Sequence, residues 1–345
     1  MSAVPTVTVV IASPLEAEHV ATIRAVDEHL EVLYEPDLLA TPRYVSDHGG
    51  ELPELTAEQD RRWHEMLARA EVSFDFDRRE PTLAEVNFPR LRWVQATSAG
   101  VGQVVPRFSL DLSRVVVTTA AGVHAVPLAE FAVASLLHFA KGFPQLRAWQ
   151  QEHRWTRYTS RNLAGQRVLV VGLGSVGRAV AAKLAALDVH VTAAVRPGGT
   201  SSAPGVGAAV AFSDLHRVLP DMDGIVLACP LTSETENLVD AAAFAAMKAG
   251  AVLVNVARGQ VVDEEAMTSA LADGRLGGAA LDVASQEPLP PTSPLWDSDR
   301  VVISPHSAST VASENALVTD LFCRNLRRWL DGEPLINVYD PERGY

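Results

Sequence analysis

The stretch Val168–Gly177, VLVVGLGSVG, constrains this chain more than any other. Its apolar half reads as a buried strand, and it opens directly into Gly172, Gly174 and Gly177, the GxGxxG spacing. Gly172 permits the tight turn out of the strand, Gly174 lets the backbone approach a pyrophosphate, and Gly177 lets the next helix pack close to the sheet. Leu173, Ser175 and Val176, interleaved with them, join them as cofactor contacts. There, at a helix N-terminus, unpaired N–H groups and the positive end of the dipole favour an anion. Val176, Val180, Leu184 and Leu187 recur at helical spacing, and VHVTAAV (Val189–Val195) follows as a second strand. The glycines therefore sit inside a βαβ unit, the context in which they denote a dinucleotide site.

A chain of 345 residues is too long for one compact core and implies two domains. At 48% hydrophobic and 21% charged residues, its composition is that of an ordinary globular protein. A net charge of -13 without a basic stripe argues against nucleic acid as a partner. No apolar run approaches the roughly 20 residues a helix needs to span a bilayer, so no membrane role is expected. The N-terminus lacks the basic and apolar regions of a signal peptide, so the expected compartment is the cytoplasm. Cys229 and Cys323 lie in apolar sequence without metal-ligand spacing, and no metal is expected.

Along the chain, TVTVVIA (Thr6–Ala12) reads as a strand, Leu15–Glu28 as a helix and LEVLY as a second strand, a βαβ opening without a glycine fingerprint. Residues Glu35–Leu55, rich in proline, glycine and charge, read as a long surface excursion before a helix near Ala57–Ala70. VSFDF and RWVQA follow as strands, the second running into Thr97–Gly102, a loop of small residues with exposed backbone N–H groups. On these grounds the loop is either a flexible strand-to-helix turn or a carboxylate-binding nest. After Asp111 a strand, a small-residue turn and a long helix carrying Leu128, Phe131, Leu136 and Phe139 on one side place a domain boundary near Leu112. Aromatic and basic residues then crowd Gln145–Tyr158, including Trp149 and Trp155, as padding for the sheet or as a partner-facing surface.

The later strands DGIVLA, GAVLVNVA, GGAALDV and RVVIS alternate with helical stretches such as Glu264–Asp273, and a last helix is expected over Val311–Leu330. That alternation means a parallel sheet covered on both faces, with its ligand beyond the strands' C-terminal ends. A dinucleotide fold usually carries an acidic residue about 20 positions after the fingerprint, to bond the ribose hydroxyls. Val195 stands there, followed by Arg196, which attracts a 2′-phosphate that a carboxylate would repel. NADP(H) is therefore the expected cofactor, with NAD(H) as the alternate. Cys229, Pro230, Thr235, Val256, Ala257, Asp282 and His306, at or just beyond strand ends, complete the expected cofactor contacts together with Arg258.

Singly, a helix-start arginine, a loop glutamate and a packed histidine predict nothing. Together, Arg258, Glu287 and His306 at three strand ends of one dinucleotide fold match what hydride transfer to a 2-oxo acid requires: a carboxylate anchor, a group that holds and charges an imidazole, and a proton donor.

The segments VLVVGLGSVG, CPLTSETENLVD, NVARGQVVDEEA, LDVASQEPLPPTSPLW and SPHSA, spread over residues 165–310, resemble the D-isomer-specific 2-hydroxyacid dehydrogenases, which include phosphoglycerate dehydrogenases and glyoxylate/hydroxypyruvate reductases. The resemblance implies that Arg258, Glu287 and His306 are catalytic, and that Ala99, Gly100 and Val101, within SAGV, bind the substrate carboxylate together with Arg258. It implies an α/β architecture of two doubly wound parallel-sheet domains: a Rossmann cofactor domain, residues 113–310, inserted in a flavodoxin-like substrate domain, residues 1–112 with 311–345. It also implies a homodimer through the cofactor domain, an active site between the domains, hinge closure around the ligands, and a small 2-oxo or 2-hydroxy acid as substrate.

Three positions depart from the family pattern. Gly102 stands where many members have aspartate, Val195 replaces the usual acidic residue, and Ser309 falls where many have glycine. Two rivals are carried forward. A dinucleotide-sensing interaction protein like the corepressors of this superfamily would bind the cofactor without turnover. A formate-dehydrogenase-like enzyme would carry glutamine in place of Glu287.

Overall fold

The computed structural model describes residues 6–344; residues 1–5 and 345, part of the expected substrate domain, lie outside the described residues. The chain divides into two units, Met1–His124 with Thr310–Tyr345, and Ala125–Ser309.

In the first unit β1 (Val7–Ile11), α1 (Ala17–Arg24), β2 (Leu30–Leu33), α2 (Ala57–Arg69), β3 (Val72–Phe74), α3 (Ala84–Asn87), β4 (Trp93–Gln95) and β5 (Val116–Thr118) follow one another. The strands form a parallel sheet in the order β2-β1-β3-β4-β5, the flavodoxin-like winding. α2 starts where it does because Thr56 and Gln59 form a capping box, each side chain taking the other's backbone N–H.

Two expectations change here. The strand after Asp111, expected to open the cofactor domain, is β5 and pairs with β4, Val94 opposite Val117. The boundary therefore falls at His124 rather than near Leu112, because an apolar run suits either parallel sheet and only long-range pairing decides between them. Residues 35–55 are not merely a surface excursion. They close on an antiparallel bridge between Thr41 and Glu51, bury Leu38 and Leu39, and fold Asp47 in until 3% of it is exposed. Hydrogen bonds from Arg43 hold the Asp47 carboxyl down at about 2, and Ser13 bonds the buried His48 at 3.1 Å.

The second unit comprises α4 (Ala125–Ala140), α5 (Phe143–Gln151), β6 (Arg167–Val171), α6 (Ser175–Ala185), β7 (His190–Val195), β8 (Val206–Ala211), α7 (Leu215–Val218), β9 (Gly224–Leu227), α8 (Ala241–Ala246), β10 (Ala251–Asn255), α9 (Glu264–Ala272), β11 (Leu276–Leu281) and β12 (Val301–Ile303). Its seven strands are parallel in the order β12-β11-β10-β9-β6-β7-β8. Alternate residues of β6 enter two different cores, Leu169 and Val171 on one face, Val168 and Val170 on the other. Both faces are covered, so the strand reads as a continuous apolar run. Edge strand β8, VGAAVA, is absent from the sequence expectations; its small residues are largely exposed and carry no apolar pattern. Strand order reverses between β6 and β9, which sets the ligand crevice beyond their C-terminal ends.

The chain returns to the first unit through α10 (Glu314–Leu330). Its Phe322 stacks on Trp93 at 5.1 Å and meets Phe74 edge-on at 5.2 Å. The buried amides of Asn325 and Gln95 bond each other at 3.0 Å, so the helix is fixed by polar as well as apolar contacts. Among the described residues no single helix is long and apolar enough to cross a membrane.

Candidate active site

The fold requires two of the three fingerprint glycines, and the space beside the third is open. Gly172 has a φ of +91°, in the left-handed region, and a Cβ there would meet Cys229 backbone atoms and the Ala228 carbonyl at 2.8 Å. A Cβ on Gly177 would overlap the Gly172 carbonyl oxygen, so the close approach of α6 to the turn depends on its absence. Beside Gly174 there is nothing within 4 Å, and this glycine caps α6 without any side chain bonding the first-turn N–H groups. An open, uncapped helix N-terminus beside the β6/β9 switch point fits a dinucleotide pyrophosphate. Leu173 is turned inward, 7% exposed, and Val176 packs against the core, so these two can offer a ligand backbone only.

Arg196 is exposed at the end of β7, where its carbonyl accepts the Gly199 N–H at 3.0 Å and closes the turn. Cys229 is 3% exposed, and burial pushes its thiol up to about 12, so it stays a neutral packing group. Pro230 is exposed beside it. The Thr235 hydroxyl donates to the Pro230 carbonyl at 2.6 Å and accepts the Thr232 N–H at 2.8 Å, holding that loop from within.

Arg258 is launched from the turn after β10 by a residue that sequence reasoning did not single out. Asn255 accepts the Ala257 N–H and donates to the Arg258 carbonyl, both at 3.0 Å. Val256 and Ala257 are buried beneath the turn. Gly259 backs against the Ala284–Ser285 backbone so closely that a Cβ would overlap it. The Arg258 guanidinium is partly buried, and burial lowers its proton affinity while the charges of Glu287 and Asp282 oppose that shift. A guanidinium stays cationic under such a shift.

Glu287, beyond β11, accepts the Ala284 N–H through Oε1 at 3.1 Å and meets His306 Nδ1 through Oε2 at 2.8 Å. An ionised carboxylate only accepts, so Nδ1 carries a hydrogen and Nε2 is the nitrogen left to exchange a proton. The imidazole side chain is 48% exposed, so a reactant can approach it. His306 itself has a φ of +54°, an uncommon conformation for a residue with a side chain. Asp282 over-determines it: its carbonyl accepts the His306 N–H at 2.8 Å, and its Oδ1 accepts the Ser304 hydroxyl at 2.7 Å and the Ala308 N–H at 2.8 Å. Expected as a cofactor contact, the 3%-exposed Asp282 here bonds the loop that carries His306.

In the first unit the loop after β4 is a built turn. The Ser98 carbonyl accepts the Ala120 N–H at 3.0 Å, and the Val101 carbonyl accepts those of Val104 and Val105, both at 2.8 Å. Val101 is 0% exposed, so its side chain is core; Gly100 is exposed and Ala99 half-buried. Among the described residues no group of three or more histidines, cysteines or carboxylates could hold a metal ion. A cation, a carboxylate and an imidazole at the ends of β10, β11 and β12, with an anion-ready helix N-terminus on the same sheet edge, can anchor a small acid and move a proton at its carbonyl oxygen.

The model of the family described as D-isomer specific 2-hydroxyacid dehydrogenase, NAD binding domain, matches residues 133–308. Glyoxylate reductase of Thermofilum pendens is 34% identical over 255 residues, 71% of this chain and 74% of that protein. Glyoxylate/hydroxypyruvate reductase A of Salmonella newport is 31% identical over 264 residues, 74% of this chain and 82% of that one. A crystal structure of a D-isomer specific 2-hydroxyacid dehydrogenase from Xanthobacter autotrophicus Py2, in complex with NADPH and MES, superimposes with a TM-score of 0.79 at 30% identity, covering 99% of this chain and 100% of that one.

Proposed function

The chain belongs to the D-isomer specific 2-hydroxyacid dehydrogenase family, NAD(P)-dependent oxidoreductases acting on a CH–OH group, and from that premise we propose that it is an NADPH-preferring reductase of small 2-oxo acids such as glyoxylate or hydroxypyruvate. The observation that carries the reading is the 2.8 Å contact between Glu287 and His306 at the strand ends that also present Arg258.

When bound, the nicotinamide supplies the hydride that the carbonyl carbon accepts. Arg258 clamps the substrate carboxylate and polarises the neighbouring carbonyl, assisted by the backbone N–H groups of Ala99, Gly100 and Val101. His306 hands the Nε2 proton to the developing alkoxide, and Glu287 keeps the ring oriented and balances its charge. Asp282 and Asn255 hold the backbone from which His306 and Arg258 project. The NADPH preference rests on Arg196 at the end of β7 and agrees with the cofactor in the Xanthobacter relative. A homodimer through the second unit is part of the same reading, since Trp155 is 100% exposed and Phe143 and Tyr158 are exposed near it in sequence.

The test is oxidation of NADPH and, separately, NADH by the purified protein with glyoxylate, hydroxypyruvate, pyruvate and phenylpyruvate. Turnover favouring NADPH is expected. Cofactor binding without turnover of any of these acids would overturn the assignment in favour of a nucleotide sensor, and faster turnover with NADH would overturn the cofactor preference alone.

A further inference from the structure

We propose that the segment after α10, Tyr339–Gly344, is a strap that positions the loop at Ala99–Gly102; its effect on catalysis rests on the reading of that loop as the substrate-carboxylate site. The first observation is Gly102. The family resemblance leads one to expect aspartate there, yet a Cβ at this position would overlap the Gly344 carbonyl oxygen, with Gly344 Cα 3.6 Å away. Glycine at 102 is what lets the segment lie directly on the loop, and the departure is thereby accounted for within this chain.

The strap is anchored at its start and folds on itself beyond Tyr339. Val338 bridges Thr118 at the free edge of β5, and the Tyr339 N–H donates to the Val117 carbonyl at 2.8 Å. Tyr339 is 8% exposed and belongs to the same apolar cluster as Val101 and Val105, the residues that flank Gly102. Asp340 then closes a turn on itself: Oδ1 accepts the N–H groups of Glu342 at 2.9 Å and Arg343 at 3.2 Å, and its carbonyl accepts the Gly344 N–H at 2.9 Å. The Arg343 guanidinium pairs with the same carboxylate at 3.1 Å. Gly344 ends the turn at a φ of +74°, which suits glycine and delivers its carbonyl to Gly102.

Gly102 thus lies between the strap, which approaches it through the Gly344 carbonyl, and the turn that Val101 closes with Val104 and Val105. Backbone donors aimed at a carboxylate depend on such fixing, because displacements of about 1 Å in a positioned group can cost on the order of a hundredfold in rate. The strap residues act through the loop; they are positioning residues.

Three variants of the protein decide the matter: Gly102→Ala, a chain ending at Tyr339, and the two combined. Tyr339 is retained so that the core anchor stays. For each, the readouts are amide hydrogen exchange over residues 99–105, NADPH dissociation constant, and kcat and KM for glyoxylate. Each single change is expected to speed exchange in the loop and raise KM roughly tenfold, leaving NADPH affinity unchanged. The combination should be no worse than the shortened chain, because the atom that the added methyl group would strike has gone. Unaltered loop exchange in the shortened chain, or effects that multiply in the combination, would overturn the strap. Faster exchange with an unchanged KM would uphold the strap and instead sink the reading of this loop as the carboxylate site.

Discussion

Asp282 holds His306 by the backbone and not by the ring: its carbonyl accepts the His306 N–H at 2.8 Å, while its carboxylate gathers Ser304 and Ala308 from either side of the histidine. His306 sits within that grip in a left-handed conformation, its N–H shared with the Ser304 carbonyl at 2.9 Å. Asp282→Ala removes two hydrogen bonds to a charged acceptor and leaves their donors in a partly buried loop, a cost of about 1–3 kcal/mol. The expected result is a lower melting temperature together with a fall in kcat on the order of a hundredfold. Asp282→Asn, which retains an acceptor oxygen, should recover much of both. A loss of NADPH affinity in Asp282→Asn at unchanged kcat would instead mark Asp282 as a direct cofactor contact.

Glu287 makes the complementary contact, to the ring. Glu287→Gln keeps a carbonyl oxygen to accept from Nδ1 but loses the negative charge that balances a protonated imidazole. Turnover with NADPH and glyoxylate should drop by about a hundredfold or more, with KM and NADPH affinity little altered, because neither ligand's anchor has been touched. A variant retaining most of its kcat would show that the pair is structural.

The fingerprint glycines allow folding and binding to be separated. A methyl group on Gly177 would overlap the Gly172 carbonyl, so Gly177→Ala must push α6 away from the turn and should destabilise the protein by about 1–3 kcal/mol. A methyl group on Gly174 meets nothing within 4 Å. Gly174→Ala should therefore melt with the wild-type protein yet bind NADPH more weakly. Equal melting temperatures for the two variants would contradict the assignment.

These contrasts also show what could be read from the chain alone. The fingerprint, the strand-end trio and the alternation of strands with helices are local patterns, and a buried parallel strand such as β6 declares itself by its unbroken apolar run. Asn255 and Asp282 act through loops whose conformations no periodicity encodes, so their roles appear only once β10, β11 and β12 lie side by side. The folded loop at residues 35–55 is held by pairs such as Ser13 with His48, 35 positions apart, which leave no mark on composition. β5 reads as a strand from its residues, but its sheet is chosen by pairing with β4 and by the return of the chain through Val338.

That folded loop should carry a measurable pH signature. The Asp47 carboxyl, at about 2 through its hydrogen bonds to Arg43, lies below the ordinary aspartate value of about 3.9. A depressed native value means stability that is present above about pH 4 and is lost as pH falls towards 2. Arg43→Met should therefore unfold at lower denaturant concentration than wild type at pH 7, with the gap narrowing as the titration is repeated at pH 4 and then pH 3. A gap that does not change with pH would show that Arg43 contributes through packing and not through charge.

The proposed cofactor preference is tested at one exposed side chain, Arg196. Arg196 is exposed at the end of β7, preceded by Val195 where a ribose-binding carboxylate is usual, and its turn is closed by backbone, the Gly199 N–H on the Arg196 carbonyl at 3.0 Å. Arg196→Ala should leave that backbone-closed turn intact. A hydrogen bond to a charged group contributes about 1.5–3 kcal/mol, so losing the guanidinium should lower kcat/KM for NADPH on the order of ten- to a hundredfold while NADH is little affected. Val195→Asp in the same background should go further, since a carboxylate repels a 2′-phosphate and accepts from the ribose hydroxyls of NADH. The ratio of kcat/KM for the two cofactors, measured at one fixed glyoxylate concentration, tests both steps. An Arg196→Ala ratio equal to that of wild type would move the phosphate contact elsewhere in the second unit.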